Sequence, residues 1–142
     1  MATRFEVIND NPTRTSGNYI GRDMQGSGFG TLWADAIDTG LAIILYDPKR
    51  QFGTMAHITG RLSSNGIFGN LFSDLEEGDC PDLEAALVGA KDISAIVKDN
   101  LLRFQIPIIG EDLGSVKIGR EVHLHCNDKT IQVYRYKPSY NR

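Results

Sequence analysis

Many short apolar runs broken by turn residues, fewer amphipathic stretches between them, and one run apolar on both faces predict an α+β domain. Strands outnumber helices and the two are mixed in order. A mainly antiparallel sheet or β-sandwich with flanking helices is therefore expected. The chain has 142 residues, 41% hydrophobic and 23% charged. That size suits one domain, 1–142, with a sizeable core and little tendency to disorder. No internal repeat or shift in composition marks a second domain.

Phe5-Glu6-Val7-Ile8 reads as the first strand, stopped by Asn9-Asp10-Asn11-Pro12. Residues 12–30 carry five glycines among Ser, Thr and Asn, and read as a long loop, either functional or a mobile insertion. Thr31 to Ile37 suits a short strand. Strands at about 41–46 and 53–59 then flank Asp47-Pro48-Lys49-Arg50 as a hairpin. With the turn centred between Pro48 and Lys49, Tyr46 falls opposite Gln51 and Gly40 opposite His57. Leu41 to Tyr46 is apolar on both faces, which predicts a central strand covered on both sides. Ser63-Ser64-Asn65 can cap a helix carrying Ile67, Leu71 and Leu75, with Gly78 as its stop.

Leu83 to Val88 fits strand and helix equally. A helix capped by Asp92 or Ser94 follows, with Ile93, Ile96, Val97 and Leu101 on one face. Pro107 ends it. Ile106 to Ile109 reads as a strand and Glu111-Asp112-Leu113-Gly114-Ser115 as a turn. Val122 to Cys126 and Thr130 to Tyr136 form a second hairpin across Asn127-Asp128-Lys129.

Net charge is −3, which argues against a nucleic-acid or anionic-membrane footprint, because both need a basic field. No apolar run approaches a membrane span, and Met1 to Asn11 is too polar for a signal peptide. A cytoplasmic location without membrane insertion is expected. Two cysteines, Cys80 and Cys126, are too few for a disulfide framework. Cys80 lies in an acidic turn that disfavours a thiolate, and Cys126 suits a small core position.

His57 leads the candidates for chemistry. A partly buried strand histidine can act as a general base, and it can equally be a core-edge residue bonded to backbone. His123 and His125 share one face of a strand. Zinc would need a third and usually a fourth ligand, and none is evident, so an edge-facing or solvated pair is expected. Gly26-Ser27-Gly28-Phe29-Gly30 lacks the lysine of a phosphate loop. Asp35 and Asp38 precede the hairpin and either can orient His57, or both are solvated loop carboxylates.

Gly40 to Ile58, above all Tyr46-Asp47-Pro48-Lys49-Arg50 and Gly53-Thr54-Met55-Ala56-His57, resembles CheD, the bacterial chemotaxis family that deamidates receptor glutamines. The family hairpin runs Gly-Ser-Cys-Val-Ala-Val-x-x-x-Asp-Pro, then Gly-x-Met-Ala-His. The likeness extends to Phe5 to Pro12, to Leu83 to Ala90, to Ile108 to Arg120 (against Glu-Asp-x-Gly-Gly and a following arginine) and to Val122 to Tyr136. Each segment is modest, but together they cover most of the chain. The resemblance implies a sandwich-like α+β fold shared with deamidase toxins such as cytotoxic necrotizing factor. It implies a metal-free cysteine–histidine amidohydrolase with no cofactor: a thiolate attacks a glutamine carboxamide, ammonia leaves, and water releases glutamate. It also implies a protein partner, a chemoreceptor or a CheC-like phosphatase.

Residue by residue, His57 matches the family general base. The nucleophilic cysteine falls at Gly40 and the preceding serine at Thr39. Asp35-Ala36-Ile37-Asp38-Thr39 replaces the family's Gly-x-Gly-Ser turn, residues 13–30 look inserted, and the stretch from His57 to Leu83 is short. Glycine supplies no nucleophile, so the covalent route is closed at position 40. A binding or regulatory homologue without catalysis is the leading expectation. The alternatives are an active deamidase using Thr39 or a thiol from elsewhere, and a deamidase-fold domain of unrelated function. In a strand, the Thr39 side chain points away from the face used by position 40.

Overall fold

The computed structural model describes residues 2–13, 15–37, 39–59, 70–71, 82–114 and 117–137. Ten strands and one helix are present among them. The strands are β1 Arg4–Ile8, β2 Asn18–Tyr19, β3 Met24–Gly28, β4 Thr31–Ala34, β5 Leu41–Asp47, β6 Phe52–Ile58, β7 Glu84–Ala90, β8 Ile108–Gly114, β9 Gly119–His125 and β10 Thr130–Tyr136. The helix, α1, is Ser94–Arg103. They form two five-stranded sheets, ordered β1-β10-β9-β4-β2 and β3-β6-β5-β7-β8. Most pairings are antiparallel; β1–β10, β2–β4 and β7–β8 are parallel.

Alternation along the strands explains the layering. In β5, Ala42, Ile44 and Tyr46 face the other sheet and pack with Leu32, Val122, Leu124, Ile131 and Val133. Leu41, Ile43 and Leu45 face the opposite way, onto Val97 and Leu101 of α1. The order is therefore sheet, sheet, helix, with β5 at the centre of the middle layer. This is the α+β sandwich expected, and β5 is covered on both sides as its unbroken apolar run requires.

Several expectations need correction. Residues 12–30 are not a structureless loop. They contain β2 and β3, and β3 pairs with β6 from Met24↔His57 to Gly28↔Gly53. Glycine makes this possible: a Cβ on Gly26 would lie 2.5 Å from Ile20 Cδ1. Leu83 to Val88 resolves as strand, because β7 sits between β5 and β8 and needs to be apolar on both faces. Glu111 to Gly114 is strand rather than turn. Its carboxylates are satisfied by cations from other elements: Glu111 meets Lys98 at 3.0 Å, and Asp112 turns inward to Arg120 and Arg135.

Helix α1 starts without a side-chain cap; Ser94 Oγ instead donates to the Lys91 carbonyl at 2.7 Å. Its buried stripe is Ser94, Val97 and Leu101, whereas Ile96 is 53% exposed, one step off that stripe. The expected helix at Ser63 to Leu75 lies outside the described residues, apart from Asn70 and the buried Leu71. The second hairpin forms as expected, with a 3-10 turn at Cys126–Asp128 and Lys129 in the left-handed region.

Candidate functional site

The β5–β6 turn sets the geometry around His57. Asp47 Oδ1 accepts from the Lys49 and Arg50 amides at 3.0 and 3.1 Å, and Gln51 takes φ +55°. These contacts place Pro48–Gln51 in the turn, so Asp47 pairs with Phe52 and Ala42 with His57. The expected pairing of Gly40 with His57 is thus wrong by two residues. A two-residue shift preserves the face of every side chain. Position 40 therefore remains on the side of β5 that carries Ala42, diagonal to His57.

That diagonal is close. A Cβ built on Gly40 would lie 3.3 Å from His57 Nε2. It would also lie 3.0 Å from Thr59 Cγ2 and 2.7 Å from the Ile58 carbonyl oxygen. A side chain at position 40 would meet the imidazole at once, and the present backbone leaves no room for one. The Gly40 carbonyl accepts from the Ala90 amide at 2.8 Å. Gly89, at φ +131°, lies so close to it that a Cβ there would collide with the same carbonyl. Gly40 is locked from two sides.

His57 is 1% exposed. It stands between Ala42 on β5 and Met24 on β3, and its carbonyl accepts from the Asp23 amide at 2.6 Å. Asp23 holds φ +55°, a region Asp tolerates better than most residues. Its carboxylate accepts from the Thr59 amide at 2.9 Å and from the Thr59 hydroxyl at 2.6 Å. Neither Asp23 nor Thr59 was expected at the site. Their bond joins positions 36 apart in the chain, and no local motif signals it.

The other sequence candidates lie elsewhere or are otherwise engaged. Thr39 is exposed on a bend before β5, while Gly40 is buried. Asp35 accepts from the Tyr19 hydroxyl at 2.8 Å; that hydrogen bond, burial and the Asp35 charge push the Tyr19 phenol up. Asp38 and Cys80 lie outside the described residues. The Ile37 amide donates to the Arg120 carbonyl at 3.0 Å, so it does not contribute to an oxyanion nest before position 40.

Cys126 is fully buried, as expected, near the opposite end of β6. A Cβ on Gly53 would lie 3.1 Å from its sulfur, and Gly53 is four residues, about 13 Å, along the strand from His57. Burial pushes the Cys126 thiol up to about 11. It is neither placed nor ionised to replace a nucleophile.

His123 and His125 do share a face, the outer one of the first sheet. His123 is 1% exposed rather than solvated. Glu121 meets its Nε2 at 2.6 Å, and the Trp33, Tyr134 and His125 rings surround it. His125 bonds Thr31 and Gln132. Among the described residues no group of three His, Cys, Asp or Glu side chains could hold a metal ion.

A second buried polar group faces the sandwich interior from the same cross-strand row as His57. The row reads His57, Ala42, Val88, Asp112 across β6, β5, β7 and β8. Asp112 accepts from Arg120 Nε at 3.0 Å and is gripped by Arg135. Burial pushes the Asp112 carboxyl up, but the Arg135 and Arg120 guanidiniums outweigh it and hold the group below the ordinary carboxylate range. Arg120 was noted at the end of the Ile108 to Arg120 segment; its inward ion pair was not.

No helix among the described residues is long and apolar enough to cross a membrane. No protein-family model matches the chain, and no curated protein matches it.

Proposed function

We propose that this chain is a CheD-like chemotaxis protein that keeps a deamidase scaffold without its chemistry and acts in the bacterial cytoplasm by binding a protein partner, a chemoreceptor or a CheC-like phosphatase. One observation carries the reading: a Cβ at position 40 would lie 3.3 Å from His57 Nε2. In a cysteine–histidine amidohydrolase, that is where the nucleophile's side chain must start if the imidazole is to take its proton. Here a glycine stands at that point, and a Cβ there would lie 2.7 Å from the Ile58 carbonyl oxygen and 3.0 Å from the Thr59 methyl. The exposed Thr39 and the inert Cys126 thiol do not restore a nucleophile. What remains useful is the surface of the scaffold.

The test is incubation with cytoplasmic chemoreceptor fragments and, separately, with a CheC-like phosphatase, followed by mass spectrometry and a binding assay. Binding to one of them without any glutamine-to-glutamate conversion is expected. His57→Ala should leave that binding unchanged. Conversion by the wild-type protein that disappears in His57→Ala would overturn the loss of catalysis. Failure to bind either partner would overturn the proposed role.

A further inference from the structure

The outer face of the first sheet carries a hydrogen-bonded chain far from position 40. One row across β4, β9, β10 and β1 reads Thr31, His125, Thr130, Arg4. Thr31 Oγ1 lies 3.1 Å from His125 Nδ1, and the other ring nitrogen, Nε2, lies 2.9 Å from Gln132 Oε1. Gln132 decides who donates. Its amide nitrogen gives a hydrogen bond of 3.3 Å to the Glu6 carboxylate, which leaves Oε1 as the atom turned to the ring. An amide oxygen accepts, so His125 Nε2 carries the proton. His125 Nδ1 is then the acceptor, and the Thr31 hydroxyl donates to it.

The chain is thus a hydroxyl, a base and a group that orients the base, each within hydrogen-bond reach of the next. Thr31 and His125 are both partly exposed. Beside them opens a groove of about 590 Å³, whose walls include His125, Gln132, Arg4, Lys129, Thr130 and Asp128. Two cations stand there against one carboxylate. Arg4 Nη2 donates to Thr130 Oγ1 at 3.2 Å, which brings the guanidinium back over β10, two strands or roughly 10 Å from Thr31. The Arg4 side chain is still 63% exposed.

We propose that Thr31, His125 and Gln132 form a separate acyl-transfer site: Thr31 Oγ1 is the nucleophile, His125 Nδ1 its general base, Gln132 a positioning residue, and the substrate is an ester whose acyl group has an anionic end that lies along the groove. Thr31 Oγ1 bonds to the acyl carbon, and the bond from that carbon to the leaving oxygen breaks. The Thr31 proton passes to His125 Nδ1 and then to the leaving oxygen. Water cleaves the threonyl ester, restoring the hydroxyl and releasing the acid. While His125 holds both protons, Gln132 Oε1 still accepts from Nε2, and Arg4 and Lys129 attract the anionic end.

The probes are the p-nitrophenyl monoester of adipic acid and p-nitrophenyl hexanoate, which has the same chain length without the charge. Acid-quenched protein is digested and its acylated residues are read by peptide mass spectrometry. Thr54, whose hydroxyl meets Ser27 Oγ at 2.8 Å rather than an imidazole, is the internal control. In the wild-type protein Thr31 should be acylated about a hundredfold faster than Thr54. Equal rates at the two threonines would overturn the proposal, whatever the variants do. His125→Ala should remove the selectivity, and Thr31→Ser should keep it; selectivity that survives His125→Ala would overturn the role of the base.

Gln132→Met has a similar length and no acceptor, and should lower Thr31 acylation about tenfold, whereas Gln132→Glu keeps an oxygen on Nε2 and should retain it. Equal rates in these two variants would overturn the positioning role. The adipate ester should outpace the hexanoate about fivefold at low salt, and Arg4→Gln with Lys129→Gln should erase the difference. Equal labelling by both esters in the wild-type protein would overturn the groove's part. The site shares no residue with position 40 and no receptor enters the assay, so this proposal and the binding role can fail separately.

Discussion

The two ends of one cross-strand row, His57 on β6 and Asp112 on β8, solve the same problem in opposite ways. Both side chains face the inside of the sandwich and both are nearly inaccessible. At the Asp112 end, the carboxylate is answered by two guanidiniums from the facing sheet, Arg120 with its side chain 2% exposed and Arg135 with 37%. At the His57 end, the imidazole lies beside a glycine whose Cβ site is crowded by the Ile58 carbonyl and the Thr59 methyl. The first arrangement makes the core depend on charge pairing. The second sets a glycine close to a buried imidazole, with the Ile58 carbonyl and the Thr59 methyl beside it. Buried polar groups alone therefore do not identify a functional site. What separates the ends is what stands beside each group: two guanidiniums at Asp112, and a crowded glycine at His57.

The largest effect should come from breaking the charged end. Asp112→Ala leaves the Arg120 guanidinium buried without its carboxylate, and a loss of about 3–5 kcal/mol in urea unfolding is expected. A loss under about 1 kcal/mol would mean that the group behaves as an exposed pair and that the contrast fails. The same residue gives a pH signature. Its folded-state pKa is depressed below the ordinary 3.8. Its contribution is therefore fully present above that value and is lost as pH falls through the lower, folded one. Asp112→Asn should flatten the stability profile below about pH 4 and leave its shape near neutrality unchanged, as followed by circular dichroism at a fixed urea concentration.

The crowded end should respond next. Gly40→Ala forces a Cβ toward the Ile58 carbonyl and should cost about 1–3 kcal/mol in the same unfolding assay, since backbone, not a flexible side-chain tip, has to yield. A neutral result would show that the wall relaxes easily and that position 40 is open to a side chain. The smallest effect belongs to Cys126, at the opposite end of β6 from His57. Its thiol is buried and raised to about 11. Alkylation of the Cys126 peptide by iodoacetamide at pH 8 should therefore proceed only on unfolding. Rapid labelling of the folded protein would place a second reactive group in the sandwich and weaken the case that His57 stands without a nucleophile.

Much of this was legible in the residues themselves. The unbroken apolar run Leu41 to Tyr46 announced a strand buried on both faces, and β5 is that strand. Val122 to Tyr136 announced its own hairpin. His57 and Gly40 were singled out together, and they do meet. The register between them was misjudged, because Pro48 suggested a turn one residue earlier than the one Asp47 builds by capping two amides. Parity saved the inference, since the shift was even. Elsewhere local reading failed for a common reason. Gly26 and its neighbours look like a loop until Ile20 is seen to need the space a side chain would fill. Glu111 and Asp112 look like a turn until Lys98, Arg120 and Arg135 are brought to them.

The sequence by itself determined the central strand and the second hairpin, because periodicity and turn chemistry act over a few residues and are written locally. Only the tertiary structure decided what stands beside His57 and Gly40. The Asp23–Thr59 bond, the Ile58 carbonyl against Gly40 and the Asp112–Arg120–Arg135 group all join segments distant along the chain or turn on distances of a few tenths of an ångström. No local pattern encodes them. They exist because two sheets and the strand ends between them close around one another, and the polar groups caught there take the partners that closure brings.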